Sequence, residues 1–230
     1  MSIEDTYNNK YYTNYNGPDY HNREEWLGYF RGIAVQIVNT LHPKIVLDVG
    51  CAFGYLVETL HELGVDAWGI DISQYAISQT NPSIRKYVKH IPAWEQLPPD
   101  FPNRYDLVIS IETLEHVHEK EGLRILDRIC EYSDSILFSA CSTFSDDKTH
   151  LNIQPPEYWI EKFSDRNFFE VVSYDGTYIT PQTILVQKKV PYTISQLAFD
   201  YKHILWIEQN GKRDLQKEIN QLNAKIVELN

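Results

Sequence analysis

From residue 23 the apolar positions follow a helical period. Trp26, Phe30, Ile33, Ala34, Ile37, Val38 and Leu41 recur at steps of three and four, which sets them on one face of a helix that Pro43 ends. Short apolar runs then alternate with further helical stretches. Strands are predicted over residues 45–49, 67–72, 87–91, 105–111 and 135–140. Helices are predicted over 55–63, 74–79 and 120–132, and from Pro155-Pro156 to about 166. Two strands close the pattern, 168–173 and 183–187, joined through Asp175-Gly176. This alternation predicts an α/β fold: a mostly parallel sheet with helices on both faces, and an antiparallel pair at one edge.

The two ends read differently. Residues 1–22 carry Tyr7, Tyr11, Tyr12, Tyr15 and Tyr20 among asparagines and Gly17-Pro18. That stretch is too polar for a strand and too broken for a helix; it is an unordered terminus or, by resemblance to enzymes with aromatic N-terminal segments, a lid. Residues 23–190 form the main domain. In residues 191–230, Leu215, Ile219, Leu222, Ile226 and Leu229 step by four, three, four and three. This short heptad seam predicts a long C-terminal helix, packed on its own domain, forming a homodimer or leading to a further module.

Composition narrows the class. The chain is 43% hydrophobic with a formal net charge of -11. The first figure supports a folded core. The second disfavours nucleic acid as partner, because phosphate binding draws on Lys and Arg. Cys51, Cys130 and Cys141 are odd in number and lack metal-knuckle spacing. Reduced thiols in a cytoplasmic protein are expected. The polar start MSIEDTYNNKYY offers no apolar leader, and no apolar run reaches membrane length.

The chemistry begins at Asp48-Val49-Gly50-Cys51-Ala52-Phe53-Gly54. It follows a buried strand and opens a helix. Glycines there permit a tight turn and close approach of a ligand, while the helix start offers free N–H groups. Asp71 stands at the end of the next strand, where a carboxylate accepts hydrogen bonds from ribose hydroxyls. Either feature alone also suits an ordinary turn or a helix cap; together they indicate a nucleotide-type cofactor.

With Tyr105-Asp106-Leu107-Val108-Ile109-Ser110 at the fourth strand, these motifs resemble the class I S-adenosylmethionine-dependent methyltransferases over residues 26–188. The resemblance implies a Rossmann-like seven-stranded sheet with an antiparallel last strand. It also implies S-adenosyl-L-methionine as cofactor. Asp48, Gly50, Cys51, Ala52 and Gly54 would hold its methionine end and Asp71 the ribose, Ile72 would cover the adenine, and Ile111 would complete the cofactor site. Tyr15 is the expected donor to the cofactor carboxylate. Position 52 is often glycine in the family, so alanine must be accommodated there without positive φ. Residues 92–98 resemble the adenine-edge loop, with Ala93 where the family often has Asp or Ser and Trp94 expected to serve instead.

A further cluster, Glu112-Thr113-Leu114-Glu115-His116, follows the fourth strand. It resembles the Glu-x-x-Glu-His of ubiquinone-pathway O-methyltransferases and small-RNA methyltransferases. That likeness implies a divalent metal (Mg, Mn, Fe or Zn) on Glu112, Glu115, His116 and a later histidine, His150. Three readings stand: a metal site, with Glu115 or a histidine taking the proton; a histidine, His116 or His150, as metal-free base; and a capping role. Trp26 and Phe30 are expected in the core, and His90 and His118 at the surface. Residues 149–159 resemble methyltransferases of glycan and natural-product assembly, with Tyr158 and Trp159 able to stack on a sugar. The expected reaction is O-methylation of a sugar, glycan or small-molecule hydroxyl. The alternatives are an NAD-type oxidoreductase and a non-catalytic scaffold.

Overall fold

The structure is a computed structural model, and it describes residues 6–13, 18–143, 147–188, 193, 195, 198, 199, 202, 205, 206 and 208–212. The chain divides into two compact units: Met1–Val171 with Asp175–Val190, and Val172–Tyr174 with Pro191–Asn230. In the second, the described positions from 195 to 212 are helical. The heptad positions Leu215 to Leu229 lie outside the described residues, as does Tyr15.

The first unit is built on a seven-stranded sheet. The strands are β1 (Ile45–Val49), β2 (Asp66–Asp71), β3 (Val88–His90), β4 (Leu107–Ile111), β5 (Ser135–Ser139), β6 (Phe168–Glu170) and β7 (Ile184–Lys188). Their order across the sheet is β3-β2-β1-β4-β5-β7-β6. β1 to β5 run parallel, while β7 lies antiparallel between β5 and β6. The helices are α1 (Asn9–Thr13), α2 (Arg23–Leu41), α3 (Tyr55–Glu62), α4 (Gln74–Ser78), α5 (Glu119–Tyr132) and α6 (Pro156–Ser164). The expected Rossmann-like architecture is therefore present. Among the described residues no helix is long and apolar enough to cross a membrane.

Register places the site. Val49 pairs with Ile70, and Asp48 pairs with both Gly69 and Ile109. The C-terminal ends of β1, β2 and β4 therefore lie side by side, where open parallel sheets bind ligands. α2 ends as its pattern predicts: His42 takes a left-handed conformation at φ 49° and its N–H returns to Val38 O, just before Pro43.

The sheet core centres on Leu47, Val108, Ile136, Phe138, Trp159 and Phe163. Trp159 is 2% exposed, and its ring meets Phe138 at 5.2 Å. Truncating a ring of this kind costs about 3–5 kcal/mol.

The predicted elements shift in detail. The strand expected over 87–91 is shorter, because a 3₁₀ turn takes Arg85–Tyr87. The strand expected over 168–173 stops at Glu170. The larger correction lies at the start of the chain. α1 forms within a segment too broken for a helix by pattern, and Tyr7, Tyr12 and Tyr20 are buried. Packing decides this. The tyrosines join Phe53, Tyr55 and Ala76 in one cluster, and Tyr20 N–H donates to Tyr12 O at 3.1 Å. A five-residue helix gains its stability from such contacts rather than from propensity.

Candidate active site

The loop after β1 is shaped by three left-handed residues: Gly50 at φ 85°, Ala52 at φ 47° and Gly54 at φ 77°. Gly50 and Cys51 donate to Ile70 O at 2.9 and 3.1 Å, and Gly54 donates to Cys51 O at 2.8 Å. A Cβ on Gly50 would fall 2.3 Å from Thr113 Oγ1, so only glycine fits. Ala52 corrects the expectation, since it does adopt positive φ. The cost is offset by Asp71, whose Oδ2 accepts the Ala52 N–H at 2.8 Å. Gly54 corrects another: it does not line the cavity, and serves the turn into α3 instead.

Asp71 Oδ1 accepts the Ser73 N–H at 2.7 Å. The carboxylate thus ties the loop after β1 to the start of α4, and each oxygen keeps a lone pair for a hydroxyl donor. Asp48 is 4% exposed, and burial together with the neighbouring Asp71 pushes its carboxyl up to about 8.

These groups open onto a cavity of about 260 Å³. Asp48, Gly50, Cys51, Ala52, Asp71 and Ile72 line one side of it. Ala93, Trp94, Ile111, Glu112, Thr113 and His116 also line it. Tyr7, Tyr11, Tyr12 and Tyr20 of the N-terminal segment line it too, as do Trp26, Tyr29 and Phe30 of α2. Trp26 and Phe30 pack against the buried cluster around Tyr20, Leu27 and Phe53, as expected of core residues, and line the cavity as well. Their helical period was read properly, and their edge of α2 also turns to the cavity. The clustering of tyrosines before residue 20 was the available signal for the N-terminal part of that wall.

Glu112 also takes positive φ, at 47°. Its N–H donates to Ser139 O at 3.0 Å, and its Oε1 accepts from Gln182 Nε2 at 3.2 Å. Glu115 is 1% exposed. Its Oε1 accepts the Cys141 N–H at 3.1 Å, while Oε2 has no hydrogen-bond partner among the described residues. Burial, then the Glu112 carboxyl, raises Glu115 to about 8. Burial lowers His116 to about 4, with His150 adding to the effect. The imidazole is therefore neutral near pH 7.

Ligand atoms of Glu115, His116 and His150 lie within 4.8 Å of one another. Glu112 is not in that set, so three of the four expected ligands come together. Of these four residues, Glu112 and His116 line the cavity. Two partners of the cluster were missed. His116 Nδ1 lies 3.0 Å from Thr149 Oγ1, which donates to Asp147 Oδ1 at 2.7 Å. His90 and His118 are exposed, as expected.

The sugar-stacking expectation is not met. Trp159 is in the core, Tyr158 donates to Glu119 Oε1 at 2.6 Å, and neither lines the cavity.

A doubly wound sheet, a glycine turn at its switch point and an acid after β2 define a nucleotide-cofactor domain. The chain belongs to the methyltransferase-domain family, whose model matches residues 28–150. The fold is that of the class I S-adenosylmethionine-dependent methyltransferases. It resembles magnesium protoporphyrin IX methyltransferase from Synechocystis with bound S-adenosylhomocysteine: TM-score 0.57, 14% identity, 81% of this chain and 98% of that one. It also resembles the Burkholderia thailandensis 1,6-didemethyltoxoflavin N1-methyltransferase: TM-score 0.55, 16% identity, 79% of this chain and 85% of that one.

Among curated relatives, the ubiquinone biosynthesis O-methyltransferase of Pseudoalteromonas translucida is 36% identical over 90 residues, 36% of this chain and 37% of that one. The Methylococcus capsulatus protein of the same name is 30% identical over 111 residues, 46% of each. The chain thus matches less than half the length of these relatives.

Proposed function

We propose that this chain is an S-adenosylmethionine-dependent O-methyltransferase acting on a hydroxyl carried by a small apolar or aromatic molecule. One observation carries the reading: a single cavity runs from Asp71 and the Gly50 turn to His116 and Glu112, and rings from Tyr11, Trp26, Tyr29 and Phe30 wall it. Among the described residues no Lys or Arg lines that cavity. The inward carboxyls suit a cation, and the rings suit a planar or apolar body. The placement of Tyr158 and Trp159 away from the cavity turns the reading from glycans toward such acceptors. The names of the ubiquinone-pathway relatives support the O-methyl assignment.

The residues fit the cofactor. Asp71 would hold the ribose, Asp48 would face the amino-acid end, and the Gly50 turn leaves room where a side chain would intrude. When bound, S-adenosylmethionine supplies an electrophilic methyl group. The chain's own task is to hold the acceptor oxygen in line with that methyl group, and alignment of this kind accounts for much of the rate. Neutral His116, at the cavity wall, can take the hydroxyl proton.

Glu115, His116 and His150 also fit a divalent cation. Glu115 Oε2, which has no hydrogen-bond partner among the described residues, would be open to such a cation. The N₂O donor set suits a transition metal, and the chemistry supplied would be polarisation of the acceptor hydroxyl.

The test is methyl transfer from labelled cofactor to a panel of phenols, catechols and sugars, with and without chelator, beside calorimetric titration with S-adenosylhomocysteine and NAD. Methylation of phenolic hydroxyls is expected. Binding of NAD with no binding of S-adenosylhomocysteine would overturn the assignment. Unchanged activity under chelation would remove the metal and leave His116 as a metal-free base.

A further inference from the structure

The imidazole of His116 is 8% exposed and enclosed by rings. His150 stands 4.7 Å away at 72°, Tyr7 at 5.7 Å and Tyr11 at 6.3 Å, both nearly perpendicular. A ring held this way still has two chemically distinct nitrogens. Its use as a base or a ligand depends on which one carries the proton.

The hydrogen-bond inventory around Nδ1 settles that choice. A carboxylate, the form an aspartate takes at neutral pH, can only accept hydrogen bonds. Asp147 Oδ1 accepts both the Thr149 N–H at 2.8 Å and the Thr149 hydroxyl at 2.7 Å. The Tyr7 hydroxyl spends its own proton on the His116 carbonyl and also faces the Thr149 side chain. The charge-assisted bond to Asp147 is the stronger and takes the one proton the Thr149 hydroxyl has. Thr149 Oγ1 therefore turns a lone pair to His116 Nδ1, 3.0 Å away. The Thr149 carbonyl oxygen, which can only accept, lies 3.4 Å from the same nitrogen. Nδ1 thus faces acceptors and must carry the hydrogen.

We propose that Asp147 and Thr149 are positioning residues that fix His116 as its Nδ1–H tautomer and so place the lone pair on Nε2. The relay runs carboxylate, hydroxyl, imidazole. It resembles in logic the carboxylate that orients a catalytic histidine, with a threonine hydroxyl inserted between the two. Its use in catalysis rests on the reading of this cavity as a methyl-transfer site; the tautomer itself does not.

The test is ¹⁵N NMR of histidine-labelled full-length protein, free of metal, with the His116 signals assigned by their loss in His116→Gln. The wild type is expected to show His116 mainly as Nδ1–H. Thr149→Val keeps the side-chain shape and removes the hydroxyl; Asp147→Ala frees the hydroxyl proton to turn toward Nδ1. Both are expected to move the population toward Nε2–H, and Thr149→Ser to restore it. With an accepted substrate, both disruptive variants should lower kcat at least about tenfold. The KM for S-adenosylmethionine should stay within about twofold, because neither residue lines the cavity. Wild-type His116 in the Nε2–H form, or a tautomer unmoved by Thr149→Val and Asp147→Ala, would overturn the relay. The expected tautomers without methyl transfer to any acceptor would overturn the proposed function and leave the relay standing.

Discussion

The ring of Tyr7 stands edge-on to the imidazole of His116, with centroids 5.7 Å apart, and its hydroxyl donates to the His116 carbonyl at 3.3 Å. The Tyr7 carbonyl accepts from Ser73 Oγ, which also caps α4 by accepting the Ala76 N–H at 2.9 Å. Ser73 N–H in turn holds Asp71. One residue of the N-terminal segment therefore spans from the Asp71 carboxylate to the His116 cluster.

Replacing Tyr7 should act on cofactor binding as well as on stability. Tyr7→Phe keeps the ring contact and loses one hydrogen bond, a cost of about 0.5–1.5 kcal/mol. Tyr7→Ala removes the ring as well, and should weaken S-adenosylhomocysteine binding about tenfold or more, equivalent to about 1.4 kcal/mol. Titration calorimetry and thermal melting of both variants measure this. Tyr7→Ala binding as tightly as wild type would show that the segment does not serve the cofactor.

Gly50→Ala should be severe. The new Cβ meets Thr113 Oγ1 at 2.3 Å, and φ of 85° is strained for any side chain. About 2 kcal/mol or more of lost stability is expected, with cofactor binding impaired. Adding Thr113→Ala removes the clash but not the backbone strain, so urea midpoints should recover only in part. Ala52→Gly should be near neutral, because relief at φ 47° is offset by the greater freedom of the unfolded chain.

Asp48 predicts a pH dependence in the protein without cofactor. Its carboxyl is raised from 3.8 in the unfolded chain to about 8 in the fold. The folded state therefore binds the proton more tightly. This contribution to stability is fully present at low pH and is lost as pH rises from about 3.8 to about 8. Asp48→Asn should flatten that part of the profile. Urea unfolding of the two proteins across this window is the measurement, and parallel profiles would refute the assignment.

The aromatic wall should govern the acceptor rather than the cofactor. Phe30→Ala removes a ring from the cavity, and burial of such a ring is worth about 1.5–3 kcal/mol. The KM for a phenolic acceptor should rise by one to two orders of magnitude, roughly that energy. The KM for S-adenosylmethionine should change little. Steady-state kinetics with each substrate varied in turn separates the two effects. Tyr29→Ala is expected to behave likewise but more weakly, since that ring is 48% exposed.

Much of this protein was legible in its chain because the relevant physics is local or periodic. The apolar runs that became β1, β2, β4 and β5 follow from the need to bury both faces of a parallel sheet. Gly50 and Asp71 could be read because a tight turn and a carboxylate closing a strand each stand at a set place relative to a strand. Other features depended on chain segments distant in sequence. Ala52 tolerates positive φ only because Asp71, 19 residues on, accepts its N–H. Tyr7 and Tyr12 become buried only because Phe53, Tyr55 and Ala76 offer a surface, which no local pattern announces. Trp26 and Phe30 carried the right helical period, but period does not say whether a core face also borders a cavity. The tautomer of His116 was the least visible of all, since it is set by Thr149 and Asp147 across a fold in the chain. Sequence fixes which elements form and where a cofactor turn must lie. Tertiary structure decides which side chains share a cavity and which atom of each is free to act, because burial and hydrogen-bond partnership are properties of neighbours in space.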